Sequence, residues 1–373
     1  MMRIGYDAKR IFHNSTGLGN YSRDLVRIMA TYFPDNQYFL YNPKKAKINR
    51  LQLTNNMIVK MPTGFLNKLL PSLWRSKFIT KDIKKDQIDV FHGLSGELPM
   101  GIDKTPAKSV VTIHDLIFLR FPELYKPIDR KIYTKKFKKA AQIADIVVAI
   151  SEQTKRDIIN FLDISSEKIQ VIYQGCHHVF KQNYDKELKW SLRQKYNLPK
   201  QFLLNVGTIE ERKNALTIVK AIQNTPHKLV IVGRKTPYAQ QIDDFIAKNN
   251  MQNQVIFLEG LQLEELAMLY QMASIFIYPS IFEGFGIPII EAIYSKTPVI
   301  TNKNGVLPEA AGKHSYFLTD VHDAAEMRDM INRVVSTDTT ENIEKSYEFV
   351  QKFNDNVIAR EWHNLYQKML KND

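Results

Sequence analysis

The stretch Ile275-Phe276-Ile277-Tyr278-Pro279-Ser280-Ile281-Phe282-Glu283-Gly284-Phe285-Gly286-Ile287-Pro288 decides how the rest of the chain is read. Four apolar residues, a loop with two glycines and a proline suited to a first helical turn spell strand, loop, helix. A strand without polar alternation is buried on both faces, the mark of a parallel sheet covered by helices. Gly284 and Gly286 let the backbone approach a ligand closely. The helix start at Ile287 offers unpaired N–H groups and the positive end of its dipole, which suits a diphosphate. Two carboxylates frame the loop: Glu283 can reach a sugar hydroxyl, and Glu291, about one turn into the helix, can take both hydroxyls of a ribose.

The same rhythm runs outward in both directions. Ile4–Tyr6, Tyr38–Tyr41, Val90–His92, Val110–Ile113, Ile146–Ile150 and Ile169–Ile172 read as buried strands of the first half. Phe202–Val206, Lys228–Val232, Val255–Leu258 and Val299–Thr301 join Ile275–Tyr278 in the second. Helical patterns separate them, among them Tyr21–Thr31, Ile128–Ala141, Glu152–Leu162, Asn214–Ile222, Tyr238–Lys248, Glu264–Gln271 and Pro288–Tyr294. Alternation of this kind predicts an α/β fold of two Rossmann-like doubly wound domains, since 373 residues exceed one comfortable core. Positions 1–176 and 177–353 are the expected domains, with the polar stretch Gln174–Leu198 as hinge. Ligands of such sheets bind outside the carboxyl ends of the strands, so the active site is expected in a cleft between facing domains.

Three further motifs follow strands. Gly207-Thr208-Ile209-Glu210-Glu211-Arg212-Lys213-Asn214 places two adjacent cations in a strand-to-helix loop, where they can neutralise a pyrophosphate and stabilise it as it leaves. The first turn, Asn14-Ser15-Thr16-Gly17-Leu18-Gly19-Asn20-Tyr21, has glycines able to cradle a phosphate or admit an acceptor, and a plain tight turn fits it equally. His114-Asp115 stands after Val110–Ile113; its histidine reads as a site residue or as a structural one. There is no D-x-D triplet, no CxxC pair, no G-x-x-x-x-G-K-[ST] loop and no G-x-S-x-G elbow. The economical expectation is a site without metal or cofactor that relies on Arg212, Lys213 and helix N–H groups.

Composition bounds the class. Hydrophobic residues make up 44% and charged residues 24%, as in ordinary globular proteins. The single cysteine, Cys176, suits a reducing compartment, and no run of about 18 apolar residues occurs; the expected location is the cytoplasm. Of the formal charge of +13, all lies in the first half: 29 Lys and Arg stand against 16 Asp and Glu up to Cys176, and 23 against 23 thereafter. A basic half beside a neutral one points to different partners for the two, with an anionic surface on the basic side, or else to a solvated lysine-rich surface. Phe65–Ile79 mixes apolar and basic residues at helical spacing, and Arg130, Lys131, Lys135, Lys136, Lys138 and Lys139 form a second basic helix. Both suit the interface of an anionic membrane at the inner face of the cell, or packing on the first domain.

Taken together, these residues resemble glycosyltransferase family 4. The resemblance covers Arg3–Asp7 with Gly17, Gly19 and Tyr21, His114-Asp115, Ser151-Glu152, Gly207 to Asn214, Glu283 to Glu291, and Gly305-Val306-Leu307-Pro308-Glu309. It implies two facing domains of the GT-B type and a nucleotide-diphosphate sugar as donor, transferred with retention of anomeric configuration. It further implies Glu283 near the sugar hydroxyls, Glu291 on the ribose, the backbone of Phe285, Gly286 and Ile287 near sugar and phosphate, and Arg212 and Lys213 on the diphosphate. His114 would position the sugar and stabilise the transition state, with the departing phosphate helping to deprotonate the acceptor. Many members carry an arginine directly after the glycine at Gly207; Thr208 stands there, and the role falls to Arg212. The family also implies that the last helix, about 354–373, packs on the first domain. DAKR, GLGNY and GTIEERKN resemble bacterial mannosyltransferases of O-antigen and capsule assembly, which favours GDP-mannose over a UDP-sugar and a glycan or lipid-linked saccharide as acceptor. An epimerase, a phosphorylase and a basic nucleic-acid binder are the rival classes. No nucleic acid is expected as a partner, because the neutral second half and its motifs would go unexplained.

Overall fold

The computed structural model describes residues 1–371 and forms two parallel sheets, each in its own unit. The first sheet contains β1 (Arg3–Asp7), β2 (Gln37–Tyr41), β3 (Met57–Lys60), β4 (Val90–Gly93), β5 (Lys108–Ile113), β6 (Ile146–Ala149) and β7 (Ile169–Val171) in the order β3-β2-β1-β4-β5-β6-β7. The second contains β8 (Leu203–Val206), β9 (Leu229–Val232), β10 (Val255–Leu258), β11 (Ile275–Tyr278), β12 (Val299–Asn302) and β13 (Tyr316–Leu318) in the order β10-β9-β8-β11-β12-β13. Both orders reverse direction once, between β1 and β4 and between β8 and β11. A doubly wound sheet opens its ligand crevice at such a reversal.

Burial explains why these runs are strands. Every residue of β4, β8, β9, β11 and β12 is buried, because helices cover both faces of the sheets. β3 and β13 were not expected from the sequence. Both are edge strands with part-exposed residues, and their apolar runs, Met57-Ile58-Val59 and Tyr316-Phe317-Leu318, are only three residues long. The ladder between β8 and β11 holds only Leu203 opposite Ile275 and Leu204 opposite Phe276. Beyond it the buried Asn205 donates through Nδ2 to the Ile277 carbonyl at 2.8 Å. The side chain thus satisfies the carbonyl where the strands part, and the crevice starts there.

The chain divides into one unit of Met1–Gln174 with the closing helix Asp355–Lys371, and a second unit of Gly175–Asn354. The closing helix packs on Gly17–Tyr32 of the first unit, burying Trp362 completely and pairing Asp355 with Arg27 at 2.7 Å. Positions 372 and 373 of the range assigned to this helix lie outside the described residues. Phe65–Ile79 is not the single amphipathic helix its spacing suggested. Pro71 interrupts it, leaving Phe65–Leu69 and Pro71–Leu73 as short helical pieces before a π-turn at Trp74–Phe78. Among the described residues no helix is long and apolar enough to cross a membrane.

Candidate functional site

The loops after β8 and β11 lie side by side because those strands are neighbours. Ile281 N–H donates to the Arg212 carbonyl at 2.9 Å, and the Arg212 guanidinium reaches back to the Phe282 carbonyl. Gly207 leaves β8 at φ 148°, in the region that favours glycine, and a side chain there would meet the Lys213 stem at 3.5 Å. The glycine ending β9, Gly233, was not foreseen as important: a Cβ on it would lie 1.8 Å from the Gly207 carbonyl oxygen. Only a glycine at position 233 permits that approach of the two strand ends.

Glu283 is the hub. Its Oε1 accepts from Lys213 Nζ at 2.5 Å, Arg212 Nη1 at 2.9 Å and the Tyr278 hydroxyl at 3.1 Å. Its Oε2 makes no hydrogen bond among the described residues. Burial by itself would raise the Glu283 pKa, but Lys213 and Arg212 outweigh it and hold the carboxyl at about 2. In return, Lys213 stays charged: burial works against its ammonium, and the Glu283 carboxylate more than compensates. Lys213 Nζ also lies 4.8 Å from the Tyr278 ring centroid. Tyr278 is itself buried, with its hydroxyl pKa pushed up to about 12 by burial. Arg212 has a second carboxylate at hand, Glu210, at 2.7 Å.

Helix Ile287–Tyr294 starts from Gly286, whose φ of 122° is open to glycine alone. A Cβ at Gly286 would also press on Leu307 at 3.1 Å, so this glycine is required by packing as much as by ligand approach. Phe285 turns inward, 3% exposed and edge-on to Phe353 at 5.4 Å, which leaves its backbone rather than its ring for a ligand. Glu291 stands in the second turn and accepts from the Tyr270 hydroxyl at 3.0 Å. Burial raises its pKa to about 7 against the lowering effect of that hydroxyl. Tyr270, like Tyr278, escaped the sequence reading because a tyrosine in an apolar segment reads as core.

Gly207, Arg212, Lys213, Glu283, Gly284, Phe285, Gly286, Ile287 and Glu291 thus converge at one sheet reversal. Gly17, Gly19 and His114 belong to the other unit. The helix expected from Tyr21 begins at Gly17, after a short helix Lys9–His13, and Asn14 Oδ1 gathers the N–H groups of Thr16 at 2.8 Å and Gly19 at 3.2 Å. A Cβ on Gly19 would lie 1.9 Å from the Asn14 carbonyl oxygen, so this glycine is needed for the turn itself; Gly17 faces open space. His114 ends β5 with both ring nitrogens engaged, Nε2 donating to the Leu94 carbonyl at 2.9 Å and Nδ1 accepting from Gln174 at 3.1 Å. Burial lowers its pKa to about 4, which keeps the ring neutral. Among the described residues no group of three or more His, Cys, Asp or Glu could hold a metal ion.

Two Rossmann-like units, one carrying paired cations and two carboxylates at its strand reversal, define a nucleotide-sugar transferase architecture of the GT-B type. Residues 35–179 match the family model described as Glycosyltransferase Family 4, and 189–352 the one described as Glycosyl transferases group 1; the chain belongs to these glycosyltransferases. Over 264 residues, 67% of the chain, it is 29% identical to the serotype-specific mannosyltransferase WbdA of Escherichia coli, and it spans 32% of that protein's length. It is 26% identical over 331 residues to the O-antigen chain mannosyltransferase B of Escherichia coli, covering 83% of this chain and 85% of that one. The crystal structure of Anabaena Alr3699/HepE with UDP-glucose shares the fold, with a TM-score of 0.76, 17% identity and full coverage of both chains.

Proposed function

We propose that the protein transfers a mannosyl group from GDP-mannose, with retention of configuration and without a metal ion, to a glycan or lipid-linked saccharide in polysaccharide assembly. The observation that carries this reading is the grip of Lys213 and Arg212 on a single oxygen of Glu283, beside the start of helix Ile287–Tyr294. The pair of cations and the helix N–H groups suit a diphosphate, and they suit it more as it departs with added charge. Glu283 Oε2 remains for a sugar hydroxyl, and Glu291 for the two ribose hydroxyls. Reaction on one face of the sugar then lets the leaving phosphate take the acceptor proton, so no side chain need act as base. His114, held on both nitrogens, shapes the strand ends of the first unit, and Gly17 and Gly19 form the turn beside β1. The choice of mannose rests on the relatives' activity, since WbdA and O-antigen chain mannosyltransferase B are mannosyltransferases.

Thermal shift against GDP-mannose, GDP, UDP-glucose and ADP-glucose tests the donor, and a transfer assay with a mannose-ended oligosaccharide, read by NMR, tests the linkage. Stabilisation by GDP-mannose above the others and an α-linked product in the presence of EDTA are expected. Stabilisation by UDP-glucose alone would move the donor to a UDP-sugar; a β-linked product, or a requirement for a divalent ion, would overturn the mechanism.

A further inference from the structure

The first unit exposes apolar side chains in two places, and basic residues outnumber acidic ones in the sequence around both. Helix Phe65–Leu69 and the turn Pro71–Leu73 bury none of their residues. Phe65 is 80% exposed, Leu66 69% and Leu69 64%. The segment is nevertheless anchored, since Trp74 just beyond it is fully buried and donates through Nε1 to Asp82 at 2.7 Å. Between Asp35 and Asp82 the chain has nine Lys and Arg and no acidic residue. The second place is helix Pro127–Ile143, which buries only Ala140 and Ala141. Ile128 on it is 72% exposed, and Ile132 and Tyr133 are exposed beside Lys131, Lys135 and Lys139.

One carboxylate joins the two places. Glu97, in the loop after β4, accepts from Arg75 Nη1 at 2.7 Å and from Lys136 Nζ at 3.4 Å. Ser76 in the same π-turn accepts at its carbonyl from Met100 N–H at 2.8 Å. The apolar tip and the basic helix therefore flank one loop at the carboxyl end of the sheet.

We propose that these elements form a single docking surface for an anionic lipid bilayer, with Phe65, Leu66 and Leu69 inserted at the level of the headgroups and the lysines on the charged surface. Large apolar side chains left in water on anchored elements mark an interaction surface. Nine cations with no acid in one segment, and six against Asp129 alone in helix Pro127–Ile143, match a surface that is negative everywhere, whereas a folded protein presents both signs and would be met by both. Apolar insertion with electrostatic attraction is the combination that holds a protein at a membrane interface.

The test is sedimentation of the full chain with vesicles of phosphatidylcholine alone and of equal phosphatidylcholine and phosphatidylglycerol, at low and at 0.5 M salt, roughly three times shorter screening length than in dilute buffer. Binding only to the anionic vesicles and release by salt are expected. The triple variant Phe65→Ser, Leu66→Ser, Leu69→Ser should weaken partitioning by about tenfold or more with little change in melting temperature, because those side chains are mostly in water. Lys131→Glu, Lys135→Glu, Lys139→Glu should do likewise. Absence of anionic-vesicle binding at low salt, or binding that survives both sets of changes, overturns the proposal. So does a dimer in light scattering that the serine variant dissociates, which would assign the face to a second copy. No nucleotide sugar enters the assay, so its failure leaves the reading of the donor site where it stands.

Discussion

Glu291 makes donor binding depend on pH in a direction that can be worked out beforehand. A carboxylate that accepts from both ribose hydroxyls must be ionised, while burial holds the pKa of the free protein's Glu291 at about 7. Binding selects the ionised form, so affinity is full above that pKa and is lost as pH falls through it. With the pKa near 7, about a tenth of the protein is competent at pH 6 and about nine-tenths at pH 8, and the dissociation constant changes about tenfold, roughly 1.4 kcal/mol. GDP-mannose is a suitable probe, because its diphosphate diester does not titrate in this range whereas the terminal phosphate of GDP does. Isothermal titration at steps from pH 5.5 to 8.5 should show the constant falling and then levelling. Glu291→Gln should bind more weakly at pH 8 and lose the slope. Tyr270→Phe removes the hydroxyl that donates at 3.0 Å and favours the ionised form, so its midpoint should move upward. A flat wild-type profile, or a Glu291→Gln variant that keeps the slope, refutes the reasoning.

Lys213→Ala removes a cation 2.5 Å from Glu283, and should lower turnover at saturating donor by about 100-fold or more, as loss of a transition-state charge partner does; near-normal turnover in a steady-state assay would remove Lys213 from the leaving-group site. Glu283→Ala frees Lys213 and Arg212, so GDP should bind it more tightly than it binds wild type while sugar transfer collapses; calorimetry beside activity reads the two effects separately. Glu291→Gln should also raise stability: a carboxyl whose pKa rises from 4.5 to about 7 on folding stabilises fully below 4.5 and loses that contribution as pH climbs through 7, at most about 3 kcal/mol. Its melting temperature should therefore exceed wild type at pH 8 and match it at pH 4. Gly233→Ala forces a Cβ to 1.8 Å from the Gly207 oxygen and should cost more than about 3 kcal/mol in chemical denaturation or prevent folding; a wild-type denaturation curve would show that the strand ends part easily.

The central strands could be read from the sequence because each is apolar on both faces, and the loops of the site because they directly follow those strands. The reading failed at β3 and β13, whose apolar runs are only three residues long, and at Phe65–Ile79, where Pro71 breaks a pattern that spacing alone joins. The pairing of Lys213 with Glu283 spans 70 positions, and no local motif contains it. It follows only once β8 and β11 are known to be neighbours, which the sheet order supplies. Gly233 did carry a signal: a glycine directly after a fully apolar strand, the same position that Gly207 holds after β8. Tyr270 and Tyr278 carried none, because their rings belong to the core and only their hydroxyls reach the carboxylates.

The two glutamates differ in environment more than their shared motif suggests, and the difference fits a division of work. Two cations close together in a part-buried loop repel one another, and Arg212 does lower the Lys213 pKa. Glu283 reverses that balance, so the ammonium and guanidinium stay charged and fixed before any diphosphate arrives, and little reorganisation is left for the moment of transfer. It does so through Oε1 alone, which lets the same carboxylate present its other oxygen to the sugar. Among the described residues no cation pairs with Glu291; burial and the Tyr270 hydroxyl set its proton affinity. A carboxylate held at about 2 is ionised at every physiological pH, and one near 7 is not. On the proposed reading, the charge that organises the leaving group is insulated from pH, and the group that grips the ribose is the one left to respond to it.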